Sequence, residues 1–373
     1  MAKKSVAVLE IGSQKVTCII GQRGVNGTFI IKSVAECEHD GFEDGHFYDN
    51  ASISTAVSSV LEETAKNVRS RITTVYIGVP GEFSSVRTKT HTLAFPRKKR
   101  IRTRDIEDLY GVFELNKNSD YVITDVKAID FILDDNRHVL NPEGQLSCKL
   151  SGYLSFMLCS KEFIRLMTAM CKAVGVKNIR FISESLAECL FLFSEEEREY
   201  QRILVDVGYL TTNVMVTQGG GVLKQEAFSF GGGYITASLM EKLDLPFDVA
   251  ETLKRKINLG YMIDADGKYR ISVNENVLSV PLQKANFTVR FSIDELAENI
   301  NNVLDKWQLD FSNNMPLALT GGGICYMRGA KEMLSSRVEM SVYNLVPSVP
   351  SLAKPDASAL ISLLSYALTL IGE

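Results

Sequence analysis

The residues best suited to chemistry lie in a short pattern that occurs twice. Near the start the chain reads Val8-Leu9-Glu10-Ile11-Gly12-Ser13-Gln14-Lys15-Val16; much later it reads Leu204-Val205-Asp206-Val207-Gly208-Tyr209-Leu210-Thr211-Thr212. Each copy is an apolar strand, an acid, a glycine two positions on, and a second strand. Hairpin tips of this kind expose backbone N–H groups, which bind phosphate oxygens. Ser13, Lys15, Thr211 and Thr212 add hydroxyls and one point charge suited to β- and γ-phosphates. Glu10 and Asp206 sit at strand ends, where acids hold Mg²⁺ through waters, because this ion dehydrates reluctantly. Either hairpin alone also reads as a plain β-turn. Two copies in matching places predict a nucleotide cleft between them.

Other residues can join that cleft. Leu317-Ala318-Leu319-Thr320-Gly321-Gly322-Gly323 is a strand running into three glycines, where a planar ligand can lie against bare backbone. A helix is expected after it, over Arg328 to Leu334. Phe230-Gly231-Gly232-Gly233-Tyr234 reads either as a domain-packing turn or as a second ligand contact. Glu251 and Lys254 stand one helical turn apart, which alone is an ordinary surface ion pair. Glu184 follows the strand 179–182. It is either a helix-start acid favoured by the dipole or a group aimed into the cleft.

These residues need two sheets to place them. Strands are predicted over 5–20 and 28–38, a helix over Ile53 to Val68, and a strand at Val75–Val79 ended by Pro80-Gly81. Strands, helix and strand in that order make a crossover unit of a mixed sheet. Residues 82–161 are more polar and carry the basic cluster Arg97-Lys98-Lys99-Arg100. They read as an inserted subdomain with a helix over Thr103 to Glu114 among strands. Basic residues there suit a sheet edge, where charge discourages further pairing, or contact with an acidic surface. The α/β texture then returns, and Glu195–Glu199 reads as a charged linker before the second hairpin. Residues 237–310 read as mainly helical, with a strand-rich excursion near 268–292.

The domain reading is therefore 1–81 with 162–200 as a first unit, 82–161 as the insertion, and 201–373 as a second unit whose outer subdomain is 237–310. A chain of 373 residues has room for about two such cores. Its net charge of −4 gives no pull toward nucleic acid. Seven scattered cysteines without a Cys-x-x-Cys pair exclude a zinc knuckle and fit a reducing, cytoplasmic setting. The start of the chain, Met1-Ala2-Lys3-Lys4, precedes an apolar run too short for a signal-peptide core. Ala357 to Ile371 is apolar but lacks Lys and Arg, so it reads as a buried helix capped by Asp356 and not as a membrane-surface helix.

In their order, these motifs resemble the actin-type ATPase superfamily, and within it the FtsA-type bacterial cell-division proteins. Glu10-Ile11-Gly12-Ser13-Gln14-Lys15 echoes their Asp-Ile-Gly-Thr-x-Lys hairpin. Asn141-Pro142-Glu143-Gly144 with Leu150 echoes a turn of their inserted subdomain. The resemblance covers nearly the whole chain. It implies an α/β, actin-like two-domain fold, a duplicated ribonuclease-H-like motif, with a strand-helix-strand-strand subdomain inserted in the first half. It also implies ATP and Mg²⁺ as ligands. Gly12, Ser13 and Lys15 would meet phosphates from one side, and Gly208, Thr211 and Thr212 from the other. Glu10 and Asp206 would hold Mg²⁺. Gly232 would line the ligand, Glu251 and Lys254 would touch ribose and adenine, and Gly321, Gly322 and Gly323 would back the adenine. Glu184 would position water, making Glu184 and Asp206 the catalytic candidates.

The departures from that pattern bear on turnover. Glu10 stands where Asp is usual, Asn213 where Asp is common, Ser185 where Pro is usual, and Tyr209 and Leu210 where residues are small. They imply that binding outlasts hydrolysis, leaving at most a slow ATPase. The implied partners are the C-terminal peptide of FtsZ, other divisome proteins and further copies of the chain, head to tail. FtsA-type proteins usually continue into a basic amphipathic helix, whereas this sequence stops at Glu373. Membrane contact is accordingly expected to be indirect or peripheral. The alternative reading is a PilM-like cytoplasmic adaptor of pilus or envelope assembly that binds a peptide of a membrane protein. A kinase of small substrates on the same fold would need an acceptor pocket where the insertion lies.

Overall fold

A computed structural model describes residues 4–25, 28–111, 113–260, 267–273, 276–309, 315–349 and 352–371. The chain start Met1-Ala2-Lys3 and the stretches 261–266 and 310–314 of the second half lie outside the described residues.

One five-stranded unit is built twice. In the first, Val6–Ile11, Lys15–Arg23 and Phe29–Glu38 form an antiparallel meander. Thr74–Val79 then lies parallel to Val6–Ile11, and Asn178–Ser183 lies parallel to Thr74–Val79. In the second, Arg202–Val207, Thr212–Gln218 and Gly221–Phe228 repeat the meander. Leu317–Thr320 and Val342–Asn344 repeat the parallel pair. The inner strands are continuous apolar runs because helices cover both faces.

Strand alternation sends successive residues to opposite faces. Leu9, Ile11 and Ile77 pack with Ile53, Val57 and Val60 of the helix Asn50–Asn67. Asp49 starts that helix by accepting from the N–H groups of Ala51 and Ser52, at 2.9 and 3.0 Å. Val8, Ile19 and Tyr76 face the other way, into a core shared with Leu204, Met215 and Ala318 of the second sheet. Two helices fill the space between the sheets, Glu184–Leu192 and Ser358–Thr369.

The last helix lies in the core shared by the two sheets. Ser358–Thr369 packs on the first sheet, so closely that a Cβ on Gly78 would lie 2.4 Å from a Leu363 methyl. Its start differs from the expected one. Pro355–Ala357 is a turn of 3₁₀ helix, and Asp356 accepts from the Tyr326 hydroxyl at 2.6 Å instead of capping the helix.

The insertion is a sheet of Ser84–Arg100, Leu146–Ser160, Tyr121–Leu133 and His138–Val139, with Thr103–Tyr110 packed on it through Leu109. That helix ends four residues before the expected Glu114. The basic cluster ends an edge strand and is largely engaged locally. Lys98 pairs with Asp134 at 3.3 Å, Lys99 with Asp105 at 2.6 Å, and Arg100 donates to the Gly144 carbonyl at 3.0 Å. In the outer part of the second half, the strands Lys268–Val273 and Asn276–Pro281 give way to a helix, Leu282–Trp307, ten residues before the expected end of the strand-rich stretch. The helix after the glycine turn is Ala330–Val338. Among the described residues no helix is long and apolar enough to cross a membrane, and all seven cysteines are free.

Candidate nucleotide cleft

The two hairpins close with the same bond. Gly12 donates its N–H to the Lys15 carbonyl at 3.0 Å, and Gly208 donates to that of Thr211 at 2.9 Å. The tips meet: the Leu210 N–H donates to the Ser13 hydroxyl at 3.1 Å. His39 steadies the first tip. Its Nδ1 accepts from the Gly41 N–H, so Nε2 carries the proton and donates to the Gly12 carbonyl, both at 2.9 Å. Burial holds this imidazole below its usual pKa, in the neutral form the two bonds require.

The glycine turns join the second hairpin by backbone bonds. Gly323 donates to the Val207 carbonyl at 2.8 Å, and Gly232 donates to that of Gly208 at 2.9 Å. A cleft of about 700 Å³ results. Its walls include Glu10, Gly12, Ser13 and Lys15 from one hairpin and Asp206, Gly208 and Thr211 from the other. Glu184, Gly232, Glu251, Lys254, Gly321, Gly322 and Gly323 complete the set that the sequence singles out.

Thr212 is the exception. It is the first residue of its strand, so alternation turns it from the face that Thr211 uses. Its buried hydroxyl donates to the Phe230 carbonyl at 2.6 Å. The glycines of 321–323 also have a packing role. A Cβ on Gly323 would lie 2.5 Å from the Gly208 carbonyl oxygen, and one on Gly321 would lie 2.0 Å from Asp206 Oδ1. They let two backbones touch, which shapes the cleft from behind.

Lys254 is committed within the protein. Its ammonium has three donors, and these reach the Gly232 carbonyl at 2.9 Å, the Thr236 hydroxyl at 2.8 Å and Glu251 at 2.7 Å. It ties the helix Phe247–Lys256 to the Gly232 turn, on a cleft wall that Glu251 and Arg255 also line. Lys254→Met is expected to cost about 2 kcal/mol in urea unfolding, below the usual figure for breaking a buried pair because Arg255 still reaches Glu251.

The floor is acidic. Burial pushes Glu10 up to about 7, with Lys15 opposing the shift and Asp206 and Asp356 adding to it. Burial likewise raises Asp206 to about 6. Glu184 is raised well above the carboxylate range by burial, then by Glu10 and Asp206. Lys15 opposes the Glu10 shift although its ammonium also pairs with Glu36 on the adjacent strand. The unusual Asn213 and Ser185 are bonded to each other: the Asn213 amide donates to the Ser185 hydroxyl at 2.8 Å.

Sequence reasoning missed several residues in and beneath the walls. Glu82 accepts from the Thr211 hydroxyl and from the Gly45 N–H, the latter at 2.8 Å. Its signal was its place directly after Pro80-Gly81. Asp356 and Tyr326 close the side behind Gly322. Glu188 lies one turn beyond Glu184, an i,i+4 spacing that the sequence does show.

A doubled five-stranded unit, two hairpin tips meeting across a cleft, and a helix pair between the sheets define an actin-like fold. Solved structures share this fold at low sequence identity. A chain of the PilM–PilN type IV pilus biogenesis complex matches with a TM-score of 0.65 at 14% identity, covering 97% of this chain and 98% of that one. MreB5 of Spiroplasma citri, solved bound to ADP, matches with a TM-score of 0.57 at 10% identity, over 99% and 97%. In sequence, the chain is similar to the cell division protein FtsA of diverse bacteria. The Streptococcus pneumoniae (D39) protein is 22% identical over 365 residues, which cover 96% of this chain and 79% of that protein. The Escherichia coli K12 protein is 21% identical over 253 residues, 68% of this chain and only 60% of the relative's length. No protein-family profile matches.

Proposed function

We propose that the chain is an FtsA-like, ATP-binding scaffold of bacterial cell division that acts in the cytoplasm and turns nucleotide over slowly or not at all. The observation that carries this reading is the pair of identical hairpin closures facing one another, with the glycine turns locked behind them. The two tips present Gly12, Ser13, Gly208 and Thr211 to a phosphate chain. Glu251, Arg255, Gly322 and Tyr326 also line the cleft, and base and sugar would lie among them.

The carboxylates of Glu10 and Asp206 are hard oxygen donors, and their unbalanced charge suits Mg²⁺. That ion, when bound, would neutralise phosphate charge. The chain's own residues supply binding and orientation better than they supply proton removal. Glu184 holds its proton tightly, Ser185 and Asn213 are tied to each other, and Tyr209 and Leu210 crowd the tip. We infer that FtsZ's C-terminal peptide, further copies of this chain and other divisome proteins are its partners, and that any membrane contact is peripheral. The sequence similarity to FtsA favours this over a PilM-like adaptor, whose likeness is one of fold.

Isothermal titration with ATP and ADP, with and without Mg²⁺, followed by phosphate release, tests the nucleotide part. Micromolar, Mg²⁺-strengthened binding with turnover below about one per minute is expected, well under the usual enzyme range. Fast release would refute the scaffold reading, and no binding at millimolar nucleotide would refute the cleft. A titration with the FtsZ C-terminal peptide tests the partner separately.

A further inference from the structure

Beneath the cleft lies a carboxylate that nucleotide binding does not use. Glu188 is 0% exposed, and neither of its carboxylate oxygens has a hydrogen-bond partner. Ser183 caps the helix Glu184–Leu192 by accepting from the Leu186 N–H at 3.2 Å, which fixes Glu184 in its first turn. Glu188 follows on the same face, one turn deeper. Asp206 reaches toward both from the neighbouring sheet. Glu184, Glu188 and Asp206 each place an oxygen within 4.8 Å of the others. Among the described ion pairs none involves these three acids, and the nearby Lys15 is paired with Glu36. A further acceptor, Oδ1 of Asn213, opposite Asp206 in the ladder, is also buried without a partner.

A buried, unpaired carboxylate costs several kcal/mol. Three such acids this close together either keep their protons or take a positive charge between them. Oxygen ligands of one hard cation lie about 2.0–2.6 Å from it, so their mutual distances run from about 3 to 5 Å. The oxygens here, all within 4.8 Å of one another, do not exceed that span. Glu184 and Asp206 line the cleft, which gives an ion a way in, whereas Glu188 does not line it.

We propose that Glu184, Glu188 and Asp206 form a divalent-cation site belonging to the chain itself, which takes Mg²⁺ or Mn²⁺ by direct carboxylate coordination in the absence of nucleotide. It shares two residues with the nucleotide reading but does not require it. The all-oxygen donor set selects hard ions over zinc or copper. An ion held by the native state alone stabilises the fold, and here it would join the helix Glu184–Leu192 to the second sheet.

The test uses the full chain, stripped of metal with chelator and dialysed, and Mn²⁺ as the probe. Loss of the free-Mn²⁺ paramagnetic resonance signal measures uptake, and thermal unfolding measures linkage. The expected result is about one Mn²⁺ per chain without nucleotide, with Tm rising as Mn²⁺ is added. Glu188→Gln and Glu188→Ala should each weaken uptake at least tenfold. Circular dichroism confirms that the near-isosteric Glu188→Gln variant is folded, and Glu188→Ala repeats the test. No uptake by wild type at millimolar Mn²⁺, or equal uptake by wild type and both variants, overturns the site. Titration of ATP into metal-free wild type, run alongside, reports on the cleft separately, so the two ideas can fail independently.

Discussion

Gly321→Ala is expected to lower unfolding free energy by about 4 kcal/mol and to remove measurable ATP binding. Two effects add. Gly321 has φ of 87°, in the left-handed region, where a side chain is strained by about 1–2 kcal/mol. The added methyl would also lie 2.0 Å from Asp206 Oδ1 and 2.3 Å from the Val207 carbonyl oxygen. Neither can give easily: one is the floor acid and the other accepts the Gly323 N–H. Overpacking of this kind costs about 1–3 kcal/mol. Gly175→Ala isolates the backbone part, since Gly175 has φ of 88° but an added Cβ would have nothing within 4 Å. It should lose only about 1 kcal/mol, the backbone part alone. Urea unfolding of both variants decides the matter, and equal losses would show that the approach to Asp206 carries no weight.

The acidic floor gives the second large effect. Glu10 binds its proton more tightly in the folded protein, with a pKa of about 7 against an ordinary 4.5. The native state therefore holds more protons than the unfolded chain between those values. Stability from this group is fully present below about pH 4.5 and is lost as pH rises through 7. The shift corresponds to at most about 3.5 kcal/mol, since one unit is worth about 1.4. Asp206 acts in the same direction from 3.8 to about 6, but the two interact, so their effects do not simply sum. Glu251 and Asp105 are shifted down and work the opposite way, losing stability as pH falls.

A difference measurement cancels those other groups. Wild type and Glu10→Gln should be about equally stable at pH 4, where both side chains are neutral. By pH 8 the variant should lead by about 2–3 kcal/mol. Saturating Mg²⁺ should close much of that gap, because the ion stabilises the ionised carboxylate that glutamine lacks. A pH-independent difference would mean that Glu10 is not held in its protonated form.

Much of the site was legible because it is built from local rules. An acid, a glycine two residues later and flanking apolar strands specify a hairpin, and the second copy announced its counterpart. Both closures, Gly12 to Lys15 and Gly208 to Thr211, span only three residues. The order of strands and helices followed from periodicity, and with it the doubled sheet. Where a local rule ran on too far, the reading slipped. Thr212 was grouped with Thr211, although one step along a strand reverses the face.

What sequence alone determined was the set of groups that can bind: two acid-glycine hairpins, their hydroxyls and the glycine turns. What only the tertiary structure decided was which groups are free and which are spent. Lys254 is spent on Gly232, 22 residues away, and Ser13 meets Leu210 from 197 residues away. The last helix belongs as much to the first sheet as to the second. Glu188 becomes a buried, unpartnered acid only when its helix is set against Asp206. Such facts depend on which distant segments exclude water from one another, and the spacing of residues along a chain carries no record of that.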